Sequence, residues 1–311
     1  MRWQDRVYGE VAIEDPAILD LIGCETFQRL RGIHQAGPSA LPFPFKNITR
    51  FEHSVGVFIL LRMLAAPRRE QIAGLLHDVS HTAFSHAVDF VVTSDEQDHH
   101  ERLKPLILGR EDLAGAIARL GYAPSDFYDD SIYPLLEQPI PWLCADRLDY
   151  FLRDGSACGV VRPDFVARIM GSLRVVDSRL ALGDVELARE AVCLFETMNS
   201  KWWAGPVEAY IYNEFADALR EGMRSGVLSF DDLMADDAFV LDRLDRSGNT
   251  LIAEKLAGVR SPQPDRVSAY LPRIIPKERW LDPPVQVNGT AKRLSLLGPK
   301  PLSPSPASNH E

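Results

Sequence analysis

Cysteine is scarce in this chain: four occur among 311 residues, and no two form a Cys-x-x-Cys pair. Paired thiols at that spacing are typical of zinc sites and redox motifs, and dense cysteines are typical of disulfide scaffolds. The sequence therefore excludes both as its organising feature. We expect reduced, buried thiols, as in a cytoplasmic protein, at Cys24, Cys144, Cys158 and Cys193.

Long apolar runs and an excess of positive charge are also missing. The amino terminus, MRWQDRVYGEVAIEDP, has no apolar signal segment, and later apolar stretches are interrupted by charge or too short to span a bilayer. The formal net charge of -10 argues against extended nucleic-acid binding, which requires a basic face. We expect a soluble, cytoplasmic protein without membrane association, in which any positive charge for an anionic ligand is concentrated locally.

Apolar residues recur at helical spacing through most of the chain, and 46% hydrophobic residues can form a substantial core. Asp15-Pro16 predicts the start of a helix that continues to about Gly37, and HSVGVFILLRML, EQIAGLLHD and FSHAVDFVV predict three more. Polar turns at Asp177-Ser178 and Asn288-Gly289 predict two short hairpins. The predicted fold class is mostly α with small β-hairpin additions.

Histidine is concentrated, because six of the eight histidines lie between His53 and His100. The adjacent pair His77-Asp78 offers a metal one imidazole nitrogen and one carboxylate oxygen. With His53 and Asp146 the set suits Mn, Fe, Ni, Co or Zn and, with added waters, Mg. A lone histidine in a helix is more often a packed or surface residue than a ligand. The combination nevertheless predicts a metal-dependent hydrolase, since a metal so held activates water and neutralises phosphate charge.

Five segments, in this order, resemble the HD-domain phosphohydrolases. Within that superfamily they resemble the SAM- and HD-domain deoxynucleoside triphosphate triphosphohydrolases and their bacterial relatives. The segments are FQRLRGIHQAG, TRFEHSVGV, GLLHDVSHTAFSHAVDF, HHERL and ADRLDYFLRDGSACG. The resemblance covers roughly residues 20–220 and includes no SAM domain. It implies an HD phosphohydrolase domain over residues 1–225, which we expect to be followed by a helical and β-hairpin extension over 226–297 and a disordered tail over 298–311.

The resemblance also implies a role for each matching residue. The family's metal ligands correspond to His53, His77, Asp78 and Asp146. His81 and His86 match histidines that face the scissile phosphate, Asp89 matches the carboxylate that orients His86, and His100 matches a further histidine near the phosphates. The spacing agrees for His86 and Asp89, which are three residues apart on one helical face, where a carboxylate can fix the tautomer of an imidazole.

Substrate contacts are implied at six further positions. They are Gln35, Arg50, Arg147, Tyr150, Asp154 and Tyr210. Arg50 matches an arginine that grips phosphate, a task that the fixed fork of a guanidinium suits. Arg147 stands where the family commonly has a lysine. Tyr150 and Asp154 match residues that face the sugar, and Gln35 matches the glutamine that reads the 3'-hydroxyl.

Two features leave the substrate open. A purely structural interpretation of DRLDYFLRD is a helix face with ion pairs such as Asp149 with Arg153. In addition, NSKWWAGPVEAYIYNEF replaces a histidine- and arginine-rich family segment and leaves Lys201 beside Trp202 and Trp203. These tryptophans are core or interface aromatics, or they stack on a base.

We therefore expect a nucleotide phosphohydrolase with a divalent metal, which converts a deoxynucleoside triphosphate to deoxynucleoside and triphosphate. His86 would protonate the leaving 5'-oxygen. Two alternatives remain: an HD enzyme acting on a nucleoside monophosphate, a cyclic nucleotide or a nucleic-acid end, and a noncatalytic nucleotide sensor. We also expect a homo-oligomer.

Overall fold

The computed structural model describes residues 2–91, 99–270 and 279–298, and its helices confirm the mostly α fold class. The disordered tail predicted over residues 298–311 lies, except for residue 298, outside the described residues. The α-helices described in the first half are α1 (Pro16–Gly23), α2 (Glu25–Gln28), α3 (Arg50–Met63), α4 (Arg68–Leu76), α5 (His99–Leu108) and α6 (Glu111–Arg119). Those of the second half are α7 (Ala145–Ala157), α8 (Pro163–Ser172), α9 (Val185–Met198), α10 (Pro206–Arg224), α11 (Asp237–Asp245), α12 (Thr250–Arg260) and α13 (Pro264–Ala269).

Short strands form two small sheets in the described part of the chain. The strands are β1 (Arg2–Asp5), β2 (Gly9–Ala12), β3 (Leu173–Val176), β4 (Arg179–Leu182), β5 (Pro284–Val287) and β6 (Thr290–Arg293). β1 and β2 form one hairpin, and the second sheet has the order β3-β4-β5-β6. The turn residues Asp177, Ser178 and Asn288 all have positive φ, as two-residue hairpin turns require, and both predicted hairpins are confirmed. β4 pairs in parallel with β5 at Leu182 and Val285, which joins the C-terminal strands to the middle of the chain. The domain division at residue 225 stays a prediction.

Helix α3 lies at the centre of the larger hydrophobic core. Its first turn is fixed by a capping box, in which Thr49 accepts from the Glu52 backbone N–H and Glu52 accepts from the Thr49 backbone N–H. Such a cap stabilises a helix by about 1 kcal/mol. Nearly every face of α3 is buried, and its own apolar side chains, such as Phe51, Val55 and Leu60, are inaccessible to solvent. The polar residues of this helix are therefore held in place by tightly packed apolar neighbours.

Helices α4 and α7 pack directly on α3. The approach of α7 depends on Gly56 of α3, because a Cβ at this position would lie 2.0 Å from the Arg153 guanidinium and 2.4 Å from the Asp149 carboxylate. A larger residue would displace both side chains. Gly56 thus lets a buried ion pair of α7 reach the middle of α3.

A second hydrophobic core lies between α10, α11 and α12. It is built by Tyr210, Phe215 and Leu219 of α10 together with Val240 and Ile252. The loop before α5 contributes further side chains to this core: Ala83, Phe84, Ala87 and Val88. The second core therefore supports one wall of the region in which the histidines cluster.

Two predicted helices differ from those observed. The helix expected to run from Asp15 to about Gly37 ends at Gly23, because Cys24 is extended, with ψ 140°. The helix predicted for FSHAVDFVV is wrong: within its described residues, 84–91, only a 3-10 turn, Ser85–Ala87, forms. Phe84 and Ser85 have φ values of 58° and 53°, in the left-handed region, which an α-helix of L-residues does not contain.

Candidate active site

Three elements bring the predicted metal ligands to one point. His53 lies on α3, His77 and Asp78 directly follow α4, and Asp146 lies in the first turn of α7. Nε2 of His53 is 3.2 Å from Nε2 of His77 and 2.9 Å from Oδ1 of Asp146. One ligand atom from each of these three residues lies within 4.8 Å of the others. The packing of α4 and α7 on α3 therefore brings three potential metal ligands together.

The remaining ring nitrogens fix which atoms face the cluster. Nδ1 of His77 is 2.8 Å from the Gly74 carbonyl oxygen, and Nδ1 of His53 is 2.7 Å from Oδ2 of Asp149. Both partners accept hydrogen bonds, so both Nδ1 atoms carry protons, and each ring presents an Nε2 lone pair once its Nε2 proton has left. Two lone pairs that face each other at 3.2 Å repel unless a proton or a cation lies between them. The donor set fits a divalent metal ion.

The charges around the cluster favour a cation. Burial lowers the pKa of His53, but hydrogen bonds to Asp146 and Asp149 outweigh this effect and raise its pKa to about 10. Burial raises the pKa of Asp146, but hydrogen bonds from His53 and His77 hold it well below its usual value. The carboxylates that retain a proton on His53 would equally retain a metal ion in its place, because metal binding displaces ligand protons.

Asp78 connects the donor cluster to the neighbouring polar groups. Its carboxylate oxygens lie 3.6 Å from Nε2 of His77 and 3.7 Å from Nε2 of His53. Arg50 donates to Oδ2 of Asp78 over 2.7 Å, and Nε2 of His81 lies 3.1 Å from Oδ1. Burial raises the pKa of Asp78, yet the Arg50 charge, with contributions from His77 and His81, holds it well below its usual range. Asp78 is therefore an ionised carboxylate beside the three donors.

A buried chain of ion pairs orients His53. Arg153 donates to both oxygens of Asp149 over 2.9 Å and to Asp5 over 3.1 Å. The pair Asp149 with Arg153 therefore exists, as the structural interpretation of DRLDYFLRD predicted. It is buried, however, and it supports His53 through Asp149. Carboxylates that hold the distal nitrogen of an imidazole ligand tune metal sites in this way.

A second group of imidazoles lies beside the first. Ligand atoms of His81, His86 and His100 lie within 4.8 Å of one another. The rings of His81 and His100 stack with centroids 4.1 Å apart. Nδ1 of His86 is 2.9 Å from Oδ2 of Asp89, as predicted from their spacing. Burial lowers the pKa of all three histidines, that of His100 to about 3, so the rings are neutral at neutral pH.

These groups line one cavity of about 710 Å³. Its predicted members are Gln35, Arg50, His53, His77, Asp78, His81, His86, His100, Asp146, Arg147, Tyr150 and Asp154. Asp89 contacts His86 from behind and is itself buried. Oε1 of Gln35 is buried and has no hydrogen-bond partner among the described residues, which leaves it available to a ligand.

Tyr210 is the exception among the predicted substrate contacts. It lies in the second hydrophobic core, with its ring 5.3 Å from that of Tyr270, and it does not line the described cavity. Tyr212 lines the cavity instead and donates to the Ala36 carbonyl oxygen over 3.1 Å. Residues two apart on a helix point to nearly opposite sides, so Tyr210 occupies the core face of α10 and Tyr212 the cavity face, and the predicted position of Tyr210 in the cavity is wrong.

Both predicted phosphate-binding arginines already have protein partners. Arg50 donates to Ser85 over 3.0 Å in addition to Asp78. Arg147 donates to the carbonyl oxygens of Gln138 and Trp142. Arg50 therefore contacts a predicted metal ligand on the cavity wall, whereas the Arg147 guanidinium donates to backbone carbonyl oxygens.

The cavity also contains charged residues that sequence analysis missed. Lys46 and Glu208 form a buried ion pair on its wall, and Lys46 also donates to the Trp202 carbonyl oxygen over 3.0 Å. Arg279 lines the cavity, and its backbone N–H donates to Oδ1 of Asn199 over 3.0 Å. No local pattern could reveal these groups, since their partners lie far away in the sequence.

The two tryptophans of the altered segment are partly buried against the larger hydrophobic core, and both also line the cavity. Trp202 meets Phe43 and Phe45 edge-on, with centroids 6.0 and 5.4 Å apart. Trp203 packs against Phe195 and donates from Nε1 to Oδ2 of Asp154 over 3.0 Å. Trp203 thus fixes the carboxylate of a predicted sugar contact.

Comparisons with known proteins identify the family to which the chain is similar. Residues 50–138 match the HD domain family. The uncharacterized protein YdhJ of Bacillus subtilis is 37% identical over 83% of this chain and 80% of its own length. The metal-dependent phosphohydrolase cns2 of Cordyceps militaris is 34% identical over 72% of this chain and 66% of its own length.

More distant relatives extend the comparison. A Dictyostelium discoideum protein named as a deoxynucleoside triphosphate triphosphohydrolase SAMHD1 homolog is 27% identical over 64% of this chain and 43% of its own length. Among solved structures, a phosphohydrolase from Bacteroides thetaiotaomicron superposes with a TM-score of 0.68 at 20% identity, covering 97% of this chain and 96% of that one. The latter likeness shows the fold.

Fold and site together define a helical, metal-dependent hydrolase. The chain belongs to the HD-domain superfamily and is a metal-dependent phosphohydrolase of that superfamily. Within the described ranges, no helix is long and apolar enough to cross a membrane.

Proposed function

We propose that this phosphohydrolase acts on nucleotides and converts a deoxynucleoside triphosphate to deoxynucleoside and triphosphate. The observation that carries the proposal is the joint position of two groups in one cavity. The predicted metal ligands His53, His77 and Asp146 line it, and so does His86, whose Nδ1 contacts Asp89. A metal site next to an oriented imidazole suits phosphoester hydrolysis.

The residues that would hold the metal are His53, His77, Asp78 and Asp146. A divalent metal bound there lowers the pKa of water and offsets phosphate charge. Asp149 keeps the Nε2 lone pair of His53 directed at that position, through the 2.7 Å hydrogen bond to Nδ1. Arg50, which touches Asp78, would contact a phosphate oxygen from the other side and balance the charge that accumulates there.

We assign His86 as the proton donor to the leaving 5'-oxygen. Its Nδ1 proton is held by Asp89, so Nε2 is the nitrogen that exchanges a proton with the substrate. Burial lowers the pKa of His86 in the free protein. A phosphate dianion in the cavity opposes this effect and favours the imidazolium form, which can donate the proton.

The deoxyribose contacts rest on Gln35, Tyr150 and Asp154. Burial raises the pKa of Asp154, and Trp203 donates to one of its oxygens, so the other remains for a hydroxyl. The unpartnered Oε1 of Gln35 could accept from a 3'-hydroxyl. The name of the Dictyostelium relative supports a deoxynucleoside triphosphate as the first substrate to test.

A second candidate is hydrolysis of a nucleotide with fewer phosphates, and the contacts of Arg147 favour it. Its guanidinium is directed to backbone carbonyls, and Arg50 is shared with Asp78. A triphosphate needs several cationic contacts, whereas a monophosphate can be held by Arg50 and the metal. Nucleoside monophosphates, cyclic nucleotides and nucleic-acid ends belong to this candidate.

Product analysis separates the candidates. The purified protein, loaded with Mn²⁺, is incubated with the four deoxynucleoside triphosphates, the ribonucleotides and the monophosphates, and products are resolved by anion-exchange chromatography. The proposal predicts deoxynucleoside and inorganic triphosphate in equal amounts, with ribonucleotides slower. Release of single phosphates supports the second candidate. Binding without turnover of any nucleotide contradicts both and supports a sensor.

A further inference from the structure

The loop between His81 and His86 has an unusual backbone. Phe84 and Ser85 are consecutive residues in the left-handed region, with φ values of 58° and 53°. Residues other than glycine adopt this conformation at a cost, and they keep it only where the surroundings enforce it. Something must therefore hold this loop, which carries two of the cavity histidines.

The Asp237 carboxylate supplies part of that restraint. Its Oδ1 accepts from the Phe84 backbone N–H over 2.5 Å. Its Oδ2 accepts from the His34 backbone N–H over 2.9 Å and lies 2.9 Å from Nδ1 of the same histidine. Asp237 is buried, with 6% of its surface exposed, so these hydrogen bonds are shielded from water. One carboxylate thus joins the strained loop to the segment that leads to Gln35.

The segment just before Asp237 adds a second attachment. The Ala83 backbone N–H donates to the Leu233 carbonyl oxygen over 2.9 Å. Arg29 donates to Ala235 over 3.2 Å and also to the carbonyl oxygens of Val79 and His81, over 2.9 and 2.8 Å. Leu233 and Asp237 therefore contact the loop directly at Ala83 and Phe84, and Arg29 connects Ala235 to the part of the loop before Thr82.

The loop conformation sets the position of the phosphate-binding arginine. Ser85 Oγ accepts from Nε of Arg50 over 3.0 Å and donates to the His34 carbonyl oxygen over 2.6 Å. The other end of the guanidinium contacts Asp78 over 2.7 Å. A rotation of the Phe84 peptide would move Ser85 and with it Arg50. His86, the next residue, would move as well.

We propose that Asp237 is a positioning residue of this active site. It holds Phe84 and Ser85 in the left-handed conformation and thereby places Arg50 and His86 for the reaction. Asp237 is absent from the described cavity lining, so it acts through the loop and does not touch the substrate. The inference rests on the proposed function and assigns a role to the C-terminal part of the chain, beyond the predicted catalytic domain.

The test compares Asp237→Ala with Asp236→Ala. Asp236 is the neighbouring N-cap of α11, and its side chain accepts from the Phe239 backbone N–H over 2.9 Å. Removing either carboxylate weakens the start of the same helix, but only Asp237 contacts the loop. We expect kcat to fall about 10- to 100-fold in Asp237→Ala, the scale of a misplaced catalytic group, with bound metal nearly unchanged. Asp236→Ala should retain wild-type kcat.

Amide hydrogen exchange provides a readout that does not depend on turnover. Residues 79–86 should exchange faster in Asp237→Ala and remain protected in Asp236→Ala. Asp237→Asn, which keeps the shape and one acceptor oxygen, should recover part of kcat and part of the protection. It also serves as the deciding variant if Asp237→Ala does not fold.

Each outcome decides the proposal. Faster exchange together with lower kcat supports it. Unchanged exchange overturns it, and so does faster exchange with wild-type kcat, because the carboxylate would then be only structural. If the wild-type protein hydrolyses no nucleotide, the proposed function fails, and the positioning role fails with it even where exchange shows that Asp237 restrains the loop.

Discussion

Nδ1 of His53 donates a hydrogen bond to Oδ2 of Asp149 over 2.7 Å, and both side chains are buried. This contact directs the other nitrogen of His53 at His77 and Asp146. It also links the donor cluster to Arg153, which donates to both oxygens of Asp149. The metal affinity of the site should therefore depend on a residue that is not itself a ligand.

Asp149→Asn should lower metal affinity about 10- to 100-fold, the usual effect of losing a carboxylate that supports an imidazole ligand. The measurement is a titration of metal-free protein with Mn²⁺. Asp5→Asn is the matched control, because Asp5 contacts Arg153 but not His53. Asp5→Asn should lower stability with little change in metal affinity. Equal affinities in both variants would refute the role of Asp149.

His77→Ala and Asp78→Ala should each remove bound metal and activity. Either change leaves an incomplete set of metal ligands, and the loss of one ligand lowers metal affinity by orders of magnitude. Elemental analysis of the purified variants measures occupancy. Asp129→Asn serves as a control, since Asp129 is exposed and accepts hydrogen bonds from Ser131. Full occupancy in either ligand variant would reject the assignment.

His86→Ala should keep the metal and the fold but lose about 10²-fold in turnover, the scale of a positioned general acid. Asp89→Asn should lose less, because His86 keeps a hydrogen-bonding partner for Nδ1. Steady-state kinetics and elemental analysis on the same preparations separate the two effects. Wild-type turnover in His86→Ala would show that another group donates the proton.

Arg279→Ala should weaken the use of a nucleoside triphosphate more than that of a monophosphate. Arg279 lines the cavity, and its backbone N–H donates to Asn199, the first residue of the segment in which the family's basic residues are replaced. We expect kcat/KM for the triphosphate to fall about tenfold, the worth of one hydrogen bond to a charged group. Arg293→Ala, which removes an ion-pair partner of Asp282, should leave kcat/KM unchanged for both substrates. Equal losses on both substrates would contradict a role with the distal phosphates.

The sequence predicted those parts of the site that are encoded in short segments. His77 and Asp78 are adjacent, and His86 and Asp89 meet over 2.9 Å even though the predicted helix around them is absent. Three residues of separation bring two side chains together in a 3-10 turn as well as in an α-helix. The pair was therefore predicted correctly although its secondary structure was not.

The missed parts depend on tertiary contacts between distant segments. Asp237 meets Phe84 across 153 positions, and Arg279 meets Asn199 across 80. Neither contact has a periodicity or a motif that a single sequence reveals. Tyr210 was misplaced for a smaller reason, because a shift of two positions along α10 exchanges the cavity face for the core face.

Removal and restoration of the metal test the central claim most directly. The protein is stripped with a chelator, and hydrolysis of a deoxynucleoside triphosphate mixture is followed by chromatography while Mn²⁺ is added back. The account predicts that activity disappears with the metal and returns at about one ion per chain in the wild type but not in His77→Ala. Undiminished hydrolysis by metal-free protein, or full recovery in His77→Ala, would contradict it.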